Sequence, residues 1–524
     1  MNPDRWYLLG RPYDLSTFAH PGGQAALRLG RGRDATMLLL GQHLEAPPVL
    51  LRRLEPFLCT EPVCDPEGVY GSEAARSAVL EDAVLCATKR VVREYRSEVG
   101  SLAAPAVSLA LSAVCLFAEV VFLRSWWRGS GLAGCGAGVA AWLCDVNVAH
   151  DASHGALRPR WLNAPLQYLA LPFLFEPEAW RLQHVYSHHL HVNGDSDMDA
   201  HYLRPFARLD RRRDPVERRS KIWLCALTAS LAFVSFAEVV LFPLQLARLL
   251  PARGPKLFFA DAGEARRSLL AAAAVVALAL TAAFRHGVLV ALTPWLVSSV
   301  IFTAVTQSSH LTQPCLDAGA ELRGGGAWGR LQVLTSVNYS CGSRLWSWLT
   351  GGLNLQSVHH AAPYVHSWHF LPLYPRLRRA WAQLGCAPLE APSLAAAFGA
   401  HVEQLRCANS SSRRNVAAES FGVSDDELPD FQCLAEGRAA VGDKVLAVVY
   451  DDDGKIIALR SCMLLPVPLQ VRSSPVVVGS RHRLSAMAVE TQHAEPDPRG
   501  AWNYLRRHPR HVLQGLHFAS AQSA

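Results

Sequence analysis

The chain has 524 residues, of which 50% are hydrophobic and 18% are charged, and its 51 basic and 44 acidic residues give a net charge of +7. A typical soluble domain carries about 25% charged residues, so this composition excludes disordered and fibrous proteins and is unlike that of an ordinary soluble enzyme. The small positive excess does not indicate nucleic-acid binding, but it suits a negatively charged membrane surface. Thirteen dispersed cysteines without a CxxC motif indicate reduced thiols rather than a disulfide framework.

The N-terminal segment 1–60 mixes polar and apolar residues and contains two histidines that are 23 positions apart. His20 lies in a His-Pro-Gly-Gly turn, and His43 follows the sequence Gly32-Arg-Asp-Ala-Thr36. Two such histidines can bind a heme iron from opposite faces, and an iron with both axial positions filled is suited to electron transfer. The simpler interpretation is a turn with an exposed histidine. The start of the chain shows no secretory or transit pattern, so we expect a cytosolic N-terminus.

Residues 61–100 are charged and predict a helical linker, after which apolar blocks begin. Crossing a bilayer takes roughly 17–25 residues, and four blocks have about that length: Ala103–Leu123, Gly131–Ala149, Ser268–Phe284 and Gly287–Thr306. A fifth block, Ile222–Leu250, is too short to cross twice and contains Glu238 and Pro243. We interpret it as an interfacial or re-entrant helix, which leaves four spans.

Histidines cluster at the ends of these blocks. The clusters are His150-Asp-Ala-Ser-His154, His184-Val-Tyr-Ser-His188-His189 and Gln356-Ser-Val-His359-His360, with His310 at the end of the last block. Residues four apart share a helix face, so their imidazoles can converge on one metal ion. Imidazole ligands suit zinc, copper, iron or nickel. Eight histidines are too many for one tetrahedral zinc, and two irons at a membrane surface suit oxygen activation.

The segment Leu203–Lys221 is rich in Lys and Arg, so the positive-inside rule predicts that it lies in the cytosol. With four spans, all the histidine clusters are then expected on the cytosolic side as well. Other polar residues near the clusters are predicted to be surface groups or to orient ligands, because a ligating histidine usually donates its second N–H to a partner. They are His191, His201, His366, His369, Asp151, Asp195, Asp197 and Asp199.

These motifs together resemble two known families. Residues 1–60 resemble cytochrome b5, and residues 101–375 resemble the membrane fatty-acid desaturases through HDASH, HVYSHH and QSVHH. The fused heme segment and Gln356 at the start of the third motif are similar to the front-end desaturases, most of all the algal and protist enzymes that act on polyunsaturated acyl chains. The third motif continues as HHAAP where the family usually has HHLFP, a change in the expected wall of the acyl channel.

The resemblance implies a ligand set. Two non-heme irons would be held by the eight clustered histidines, with Gln356 beside them: His150, His154, His184, His188, His189, His310, His359 and His360. Heme b would be held by His20 and His43. O2 would be the co-substrate, and electrons would come from NADH through a cytochrome b5 reductase.

The resemblance also implies a mainly α fold in five parts. A small α+β cytochrome b5-like domain (1–60) and a helical linker (61–100) precede a four-span membrane desaturase domain with a cytosolic histidine cap (101–375), a helical segment (376–408) and a tail (409–524). In the tail, Lys444–Val449 and Lys455–Leu459 flank an Asp-Asp-Asp-Gly turn and predict a β-hairpin. We expect a multi-pass protein of the endoplasmic reticulum membrane with both termini in the cytosol.

The expected activity is front-end desaturation of a polyunsaturated acyl chain bound to CoA or to a phospholipid, with a Δ5 or Δ4 position favoured. The alternatives among enzymes are a sphingolipid long-chain-base desaturase and an acyl hydroxylase or acetylenase. The alternative outside enzymes is a membrane heme electron carrier or metal-handling protein. A zinc transporter would instead be expected to place its ligands within the spans.

Overall fold

The structure, a computed structural model, describes residues 2–65, 69–70, 72–199, 222–250, 257–322, 327–409, 444–450 and 456–463. The chain divides into two compact units, residues 1–411 and residues 412–524. The described part of the second unit is an antiparallel pair of strands, Lys444–Tyr450 and Ile456–Met463, in which Lys444 is opposite Met463. This pair agrees with the predicted hairpin. His201 and the basic segment Leu203–Lys221 lie outside the described residues.

The N-terminal 60 residues form two short strands and three short helices. The strands β1 (Trp6–Leu8) and β2 (Arg11–Tyr13) pair antiparallel, with Trp6 opposite Tyr13. The helices are α1 (Gln24–Arg28), α2 (Thr36–Gly41) and α3 (Pro47–Leu54). Apolar side chains from the strands and all three helices form one buried cluster around the predicted heme segment.

The predicted linker is helical and packs on the rest of the first unit. It consists of α4 (Glu73–Leu80) and α5 (Ala83–Val99). Asp82 caps α5 by accepting a hydrogen bond from the Leu85 amide at 2.9 Å, and its other oxygen accepts one from the Gly329 amide at 2.7 Å. The buried indole of Trp381 donates to the Thr88 hydroxyl at 2.9 Å. The linker is therefore a structural part of the first unit, held to residues about 300 positions later in the sequence.

Among the residues that the structure describes, five helices are long and apolar enough to cross a membrane, one more than the four predicted spans. They are α6 (Ala106–Trp126), α7 (Gly131–Ser153), α10 (within which Leu227–Leu246 qualifies), α11 (Ala262–His286) and α12 (Val288–His310). Between α7 and α10 lie the short helix α8 (Asn163–Leu166) and the helix α9, which is built from Pro177–Trp180, Arg181–His188 and His189–His191. Helix α10 is built from Ile222–Phe236, Ala237–Leu241 and Phe242–Leu246.

Four of the five apolar helices form two hairpins whose turns meet at one end. The indole of Trp127, after α6, lies under the Arg285 guanidinium at 4.9 Å, and the Trp127 carbonyl oxygen is 3.0 Å from His286 Nε2. Between the hairpins, α7 and α12 approach closely at Gly138, which has no side chain. A Cβ at this position would lie 2.6 Å from the Pro294 carbonyl oxygen, so only glycine fits here. The opposite ends of the two hairpins carry His150 and His310.

The fifth apolar helix, α10, is the block interpreted from the sequence as interfacial or re-entrant. Near its start, Leu227 packs with Leu311 and Leu316, just beyond His310. At its end, Leu246 packs with Leu182 and Val185, which flank His184. Both ends of α10 therefore lie beside histidine-bearing segments, although the helix meets the length and composition of a span.

The remaining elements cover the histidine-bearing end. They are α13 (Gln313–Glu321), α14 (Trp328–Leu334), β3 (Val337–Tyr339), α15 (Arg344–Leu349), α16 (Gln356–Ala361), α17 (Phe370–Ala382), β4 (Leu389–Ala391) and α18 (Leu394–Asn409). Strands β3 and β4 pair parallel, with Val337 opposite Leu389. A buried apolar cluster joins α5, α14, α16 and α17 and fixes the third histidine motif against the linker.

Candidate metal centre

The eight histidines predicted as ligands lie together in the structure, in two adjoining groups. In the first group, one ring nitrogen from each of four histidines lies within 4.8 Å of the others: His150, His154, His184 and His359. The Nε2 atom of His184 is 3.2 Å from that of His150 and 3.1 Å from that of His154. All four side chains are buried.

The second group consists of His188, His310 and His360, whose ligand atoms also lie within 4.8 Å of one another. His189 connects the two groups, because its Nε2 is 3.2 Å from Nε2 of His184 and 3.0 Å from Nε2 of His359. His189 also forms a compact set with His359 and His360. Clustered imidazole nitrogens at these separations fit two neighbouring metal ions better than one.

Wide helical turns place these histidines. The stretches Asp145–Ala149, Arg181–His188 and Thr303–Gln307 are π-helical, and each leads into or contains a clustered histidine. In a π-helix the hydrogen bond runs from i to i+5, and such turns are frequent at functional sites. This explains how His184 and His189, five residues apart, direct their Nε2 atoms to within 3.2 Å.

Burial keeps most of these rings neutral. Burial and the neighbouring histidines lower the pKa of His184, His189, His359 and His360 well below the usual value. A neutral imidazole has a free nitrogen lone pair, which is the form that binds a metal. For His188, burial also disfavours the charged form, but Asp197 and Asp199 outweigh it and raise the pKa of His188 to about 9. A metal ion at Nε2 would have to displace that proton.

Partners on the far side of the rings orient three histidines. Nδ1 of His188 lies 3.2 Å from both carboxylate oxygens of Asp197, and His360 Nδ1 lies 2.9 Å from the Gln332 side-chain oxygen. His310 Nδ1 lies 2.8 Å from the Thr335 carbonyl oxygen. Each contact leaves Nε2 for the cluster, and Nε2 of His360 has no hydrogen-bond partner among the described residues. Asp197 was predicted for this role, whereas no sequence pattern marks Gln332 or Thr335.

Gln356 lies at the edge of the second group, with its Nε2 2.8 Å from His310 Nε2. Its buried side-chain oxygen has no hydrogen-bond partner within the described part of the chain. Gln356 therefore places an unpartnered side-chain oxygen, which can accept a hydrogen bond or bind a metal ion, beside the clustered histidines.

The other polar residues take different places. Asp199 is 3.5 Å from His188 Nδ1 and forms a further set of potential metal ligands with His184 and His188. Asp151 neither orients a clustered histidine nor lies in solvent, because it is buried and accepts hydrogen bonds from the Ser367 amide at 3.0 Å and hydroxyl at 2.8 Å. His366 is buried beside Asp151 at 3.4 Å. Asp195, His191 and His369 are absent from the groups of potential metal ligands found among the described residues.

A cavity of about 40 Å³ adjoins the histidines. Its apolar wall includes Trp142, Phe302 and Leu353, and its polar wall includes His150 and His310. This small space is lined mainly by apolar surface and lies directly beside the buried histidines.

The two N-terminal histidines also lie together. The ring centroids of His20 and His43 are 5.7 Å apart, with the ring planes at 89°. Nδ1 of His43 contacts the Leu39 carbonyl oxygen at 2.8 Å, which leaves Nε2 for a ligand. Nδ1 of His20 accepts a hydrogen bond from the Gly22 amide at 3.0 Å, so a neutral His20 carries its proton on Nε2 in this arrangement, and iron binding at Nε2 would require that hydrogen bond to be given up. Burial lowers the pKa of both imidazoles, that of His20 to about 4. Neutral paired rings beside an apolar cavity of about 430 Å³ fit a bis-histidine heme.

Replacing Asp197 with asparagine is expected to lower the metal content and the activity about 10- to 100-fold, because the carboxylate fixes the His188 ring and favours its metal-binding nitrogen. Metal analysis of the purified variant measures this loss. The exposed Glu73→Gln change is the control and should leave the metal content unchanged. Wild-type metal content in Asp197→Asn would show that Asp197 has no part in metal binding.

Comparison with known proteins identifies several relatives of this chain. A relative named acyl-lipid omega-13 desaturase, from Chlamydomonas reinhardtii, is 29% identical over 446 residues, covering 76% of this chain and 92% of the relative. A second relative from that organism, named acyl-lipid (7-3)-desaturase, chloroplastic, is 29% identical and covers 69% of this chain and 72% of its own length. The acyl-lipid (8-3)-desaturase of Physcomitrium patens is 23% identical and covers 77% and 88%.

The sequence model of the family named fatty acid desaturase matches residues 124–389, just over half of the chain. The matched region begins in α6 and ends at β4, so it contains every histidine of the two groups and Gln356. The predicted resemblance to the fatty-acid desaturases is thus confirmed at the level of the family: the chain belongs to the fatty acid desaturases.

Proposed function

We propose that the protein is an O2-dependent front-end desaturase that introduces a cis double bond into a polyunsaturated acyl chain. The observation that carries the proposal is the convergence of eight buried histidines into two adjoining groups at the ends of the apolar helices. Membership of the desaturase family and relatives named acyl-lipid desaturases support acyl chains, rather than long-chain bases, as the substrate class.

The two groups would hold two irons. His150, His154, His184 and His359 would bind one iron and His188, His310 and His360 the other, with His189 between them and Gln356 at the second. Bound iron would supply the O2 activation that removal of two unactivated hydrogens requires. Asp197, Gln332 and the Thr335 carbonyl hold the rings in place, and Trp142, Phe302 and Leu353 keep the cavity beside them apolar.

The electron balance of the reaction supports an electron-supplying role for the N-terminal segment. Reducing O2 to two waters takes four electrons, of which two come from the acyl chain as it becomes an alkene and two must be supplied. His20 and His43 would hold a heme b that delivers them, refilled from NADH by a cytochrome b5 reductase. Support comes from the ring pair at 5.7 Å and the apolar cavity around it.

The two hairpins support a proposed membrane topology. Helices α6, α7, α11 and α12 would cross the bilayer, and α10 would enter and return, because both of its ends pack beside histidine-bearing segments. The histidine groups and both termini would lie in the cytosol. The proposed location is the endoplasmic reticulum membrane. The alternative is a plastid membrane, because one relative is named chloroplastic, and cell fractionation would distinguish the two.

The position of the new double bond is proposed as Δ5 or Δ4. The names of the relatives differ in position, among them omega-13, (7-3), (8-3) and, in Dictyostelium discoideum, Delta(5). The family resemblance to front-end enzymes favours a bond between the carboxyl end and an existing double bond.

Metal and heme analysis of the purified full chain tests the proposal against a carrier or a transporter. We expect two non-heme irons and one heme per chain, because the chain has two histidine groups and one separate histidine pair. Heme without iron would indicate an electron carrier, and zinc in place of iron would indicate a metal-handling protein. Either result would contradict the proposed function.

A further inference from the structure

The cavity around His20 and His43 is not closed by the N-terminal segment alone. One wall comes from that segment, and the other comes from residues that follow the second apolar helix, including His154, Arg158 and Arg160. Polar contacts outside the cavity also join the N-terminal segment to the helices that follow it. Arg28 forms an ion pair with Glu264 at 2.9 Å, and the Tyr186 hydroxyl donates to the Asp34 carbonyl at 3.2 Å.

The charges around this cavity do not balance. Four arginines line it: Arg53, Arg158, Arg160 and Arg181. Arg181 is paired with Glu178, and Arg53 is paired with Glu45 at 3.5 Å. Arg158 and Arg160 form no ion pair with any residue that the structure describes. The cavity wall therefore carries two cations without a matching carboxylate.

Unpartnered polar atoms accompany these cations. The Tyr364 hydroxyl and the Gln167 side-chain oxygen are buried, line the same cavity and have no hydrogen-bond partner among the described residues. A buried polar group without a partner is costly, so such atoms indicate a missing ligand or water. Burial raises the pKa of Tyr364, which keeps its phenol neutral and able to donate to an anion.

Arg160 lines the same cavity as the paired histidines His20 and His43. The Arg158 guanidinium is held in place by hydrogen bonds from Nη1 to the carbonyl oxygens of Gly155 at 2.7 Å and Leu157 at 2.8 Å. Its remaining N–H groups stay available to a ligand.

We propose that the desaturase domain completes the heme site, with Arg158 and Arg160 neutralising the two heme carboxylates and the Tyr364 hydroxyl donating a hydrogen bond to one of them. The inference rests on the proposed heme binding by His20 and His43. Heme is a flat apolar ring system with two carboxylates, which matches an apolar cavity bordered by two uncompensated cations. The heme site then lies in a cavity whose wall includes His154, a member of the first histidine group.

The test compares heme b with its dimethyl ester, in which both carboxylates are neutral. The full chain is loaded with either compound, and the rate of heme dissociation and the midpoint potential are measured. We expect the ester to leave the wild type about 10- to 100-fold faster than heme b, because hydrogen bonds to charged groups are worth more than neutral ones. In Arg158→Gln/Arg160→Gln, heme b should leave as fast as the ester. The potential of that variant should be more negative, because loss of positive charge disfavours the reduced heme.

Two further variants keep the test decisive. Arg11→Gln/Arg52→Gln removes the same charge from exposed positions that do not line the cavity and should behave as the wild type. Arg160→Gln alone leaves the Arg158 contacts to the backbone intact and should give a smaller change of the same sign.

Two outcomes would overturn the inference. Equal dissociation of heme b and its ester from the wild type, or a double variant that matches the Arg11/Arg52 control in rate and potential, would refute the role of the arginines while the heme site stands. A wild-type chain that binds no heme at all would refute the heme site of the proposed function and this inference with it.

Discussion

Replacing His359 with alanine is expected to abolish desaturation while leaving the absorption spectrum of the heme unchanged. His359 belongs to the first histidine group and also forms a compact set with His189 and His360, so one change removes a ligand atom at the junction of the two groups. Loss of a partner that only orients a ligand costs about 10- to 100-fold, so loss of a ligand itself should cost more. Product formation in a yeast host and iron content of the purified variant measure the effect.

His286→Ala is the matched control for this experiment. His286 lies at the turn between α11 and α12, beside Trp127 and at the opposite end of the helices from the two histidine groups. The control should retain iron and activity. A His359→Ala protein with wild-type activity would remove His359 from the ligand set and would weaken the assignment of the whole third motif.

Replacing His20 with alanine is expected to stop turnover in a host that lacks free cytochrome b5, because the supply of electrons through the fused heme would be lost. The heme spectrum should disappear and the non-heme iron should remain, since His20 is absent from both groups of metal-binding histidines. Added cytochrome b5 should restore part of the activity. This pattern separates a failure of electron supply from a failure of folding.

Gln24→Ala changes an exposed residue on the same turn and serves as the control, with unchanged heme content and activity expected. If His20→Ala retained full activity in the host without free cytochrome b5, the internal relay would be refuted. The desaturase assignment would survive that result, because it rests on the separate histidine groups.

The histidine positions could be predicted from the sequence because their spacing is local. His150 and His154 share a helix face. The motif from His184 to His189 lies largely within a π-helical stretch, which brings the rings at its two ends together. His310 was predictable from its place at the end of an apolar block. Assembly of these separate motifs into two groups depends on tertiary packing, which spacing alone does not specify.

Residues that contact the clustered histidines but lie outside the histidine motifs could not be predicted from the sequence. Gln332 contacts His360 and the Thr335 carbonyl contacts His310, but neither position follows a periodicity or motif. Asp151 was considered as a ligand-orienting group because of its place in the first motif, yet it is bonded to Ser367. Contacts between residues more than 200 positions apart, such as this one, leave no local signal.

The apolar helices could be predicted from composition, but their contacts could not. Length and hydrophobicity identify all five apolar helices of the described residues, but they do not decide whether α10 crosses the membrane. Glu238 in α10 accepts a hydrogen bond from Gln183 at 2.9 Å, next to the second histidine motif. This contact explains the carboxyl group that interrupts the apolar block, and only the fold reveals its partner.

The most direct test of the central claim is the product of the reaction. The full chain is expressed in yeast, the cells are fed C18–C22 polyunsaturated acids, and double-bond positions in the products are mapped by gas chromatography and mass spectrometry. Our account predicts a new double bond between the carboxyl end and an existing double bond, absent from cells that express His359→Ala. Protein loaded with heme and iron that forms no new alkene from any of these acids would contradict it.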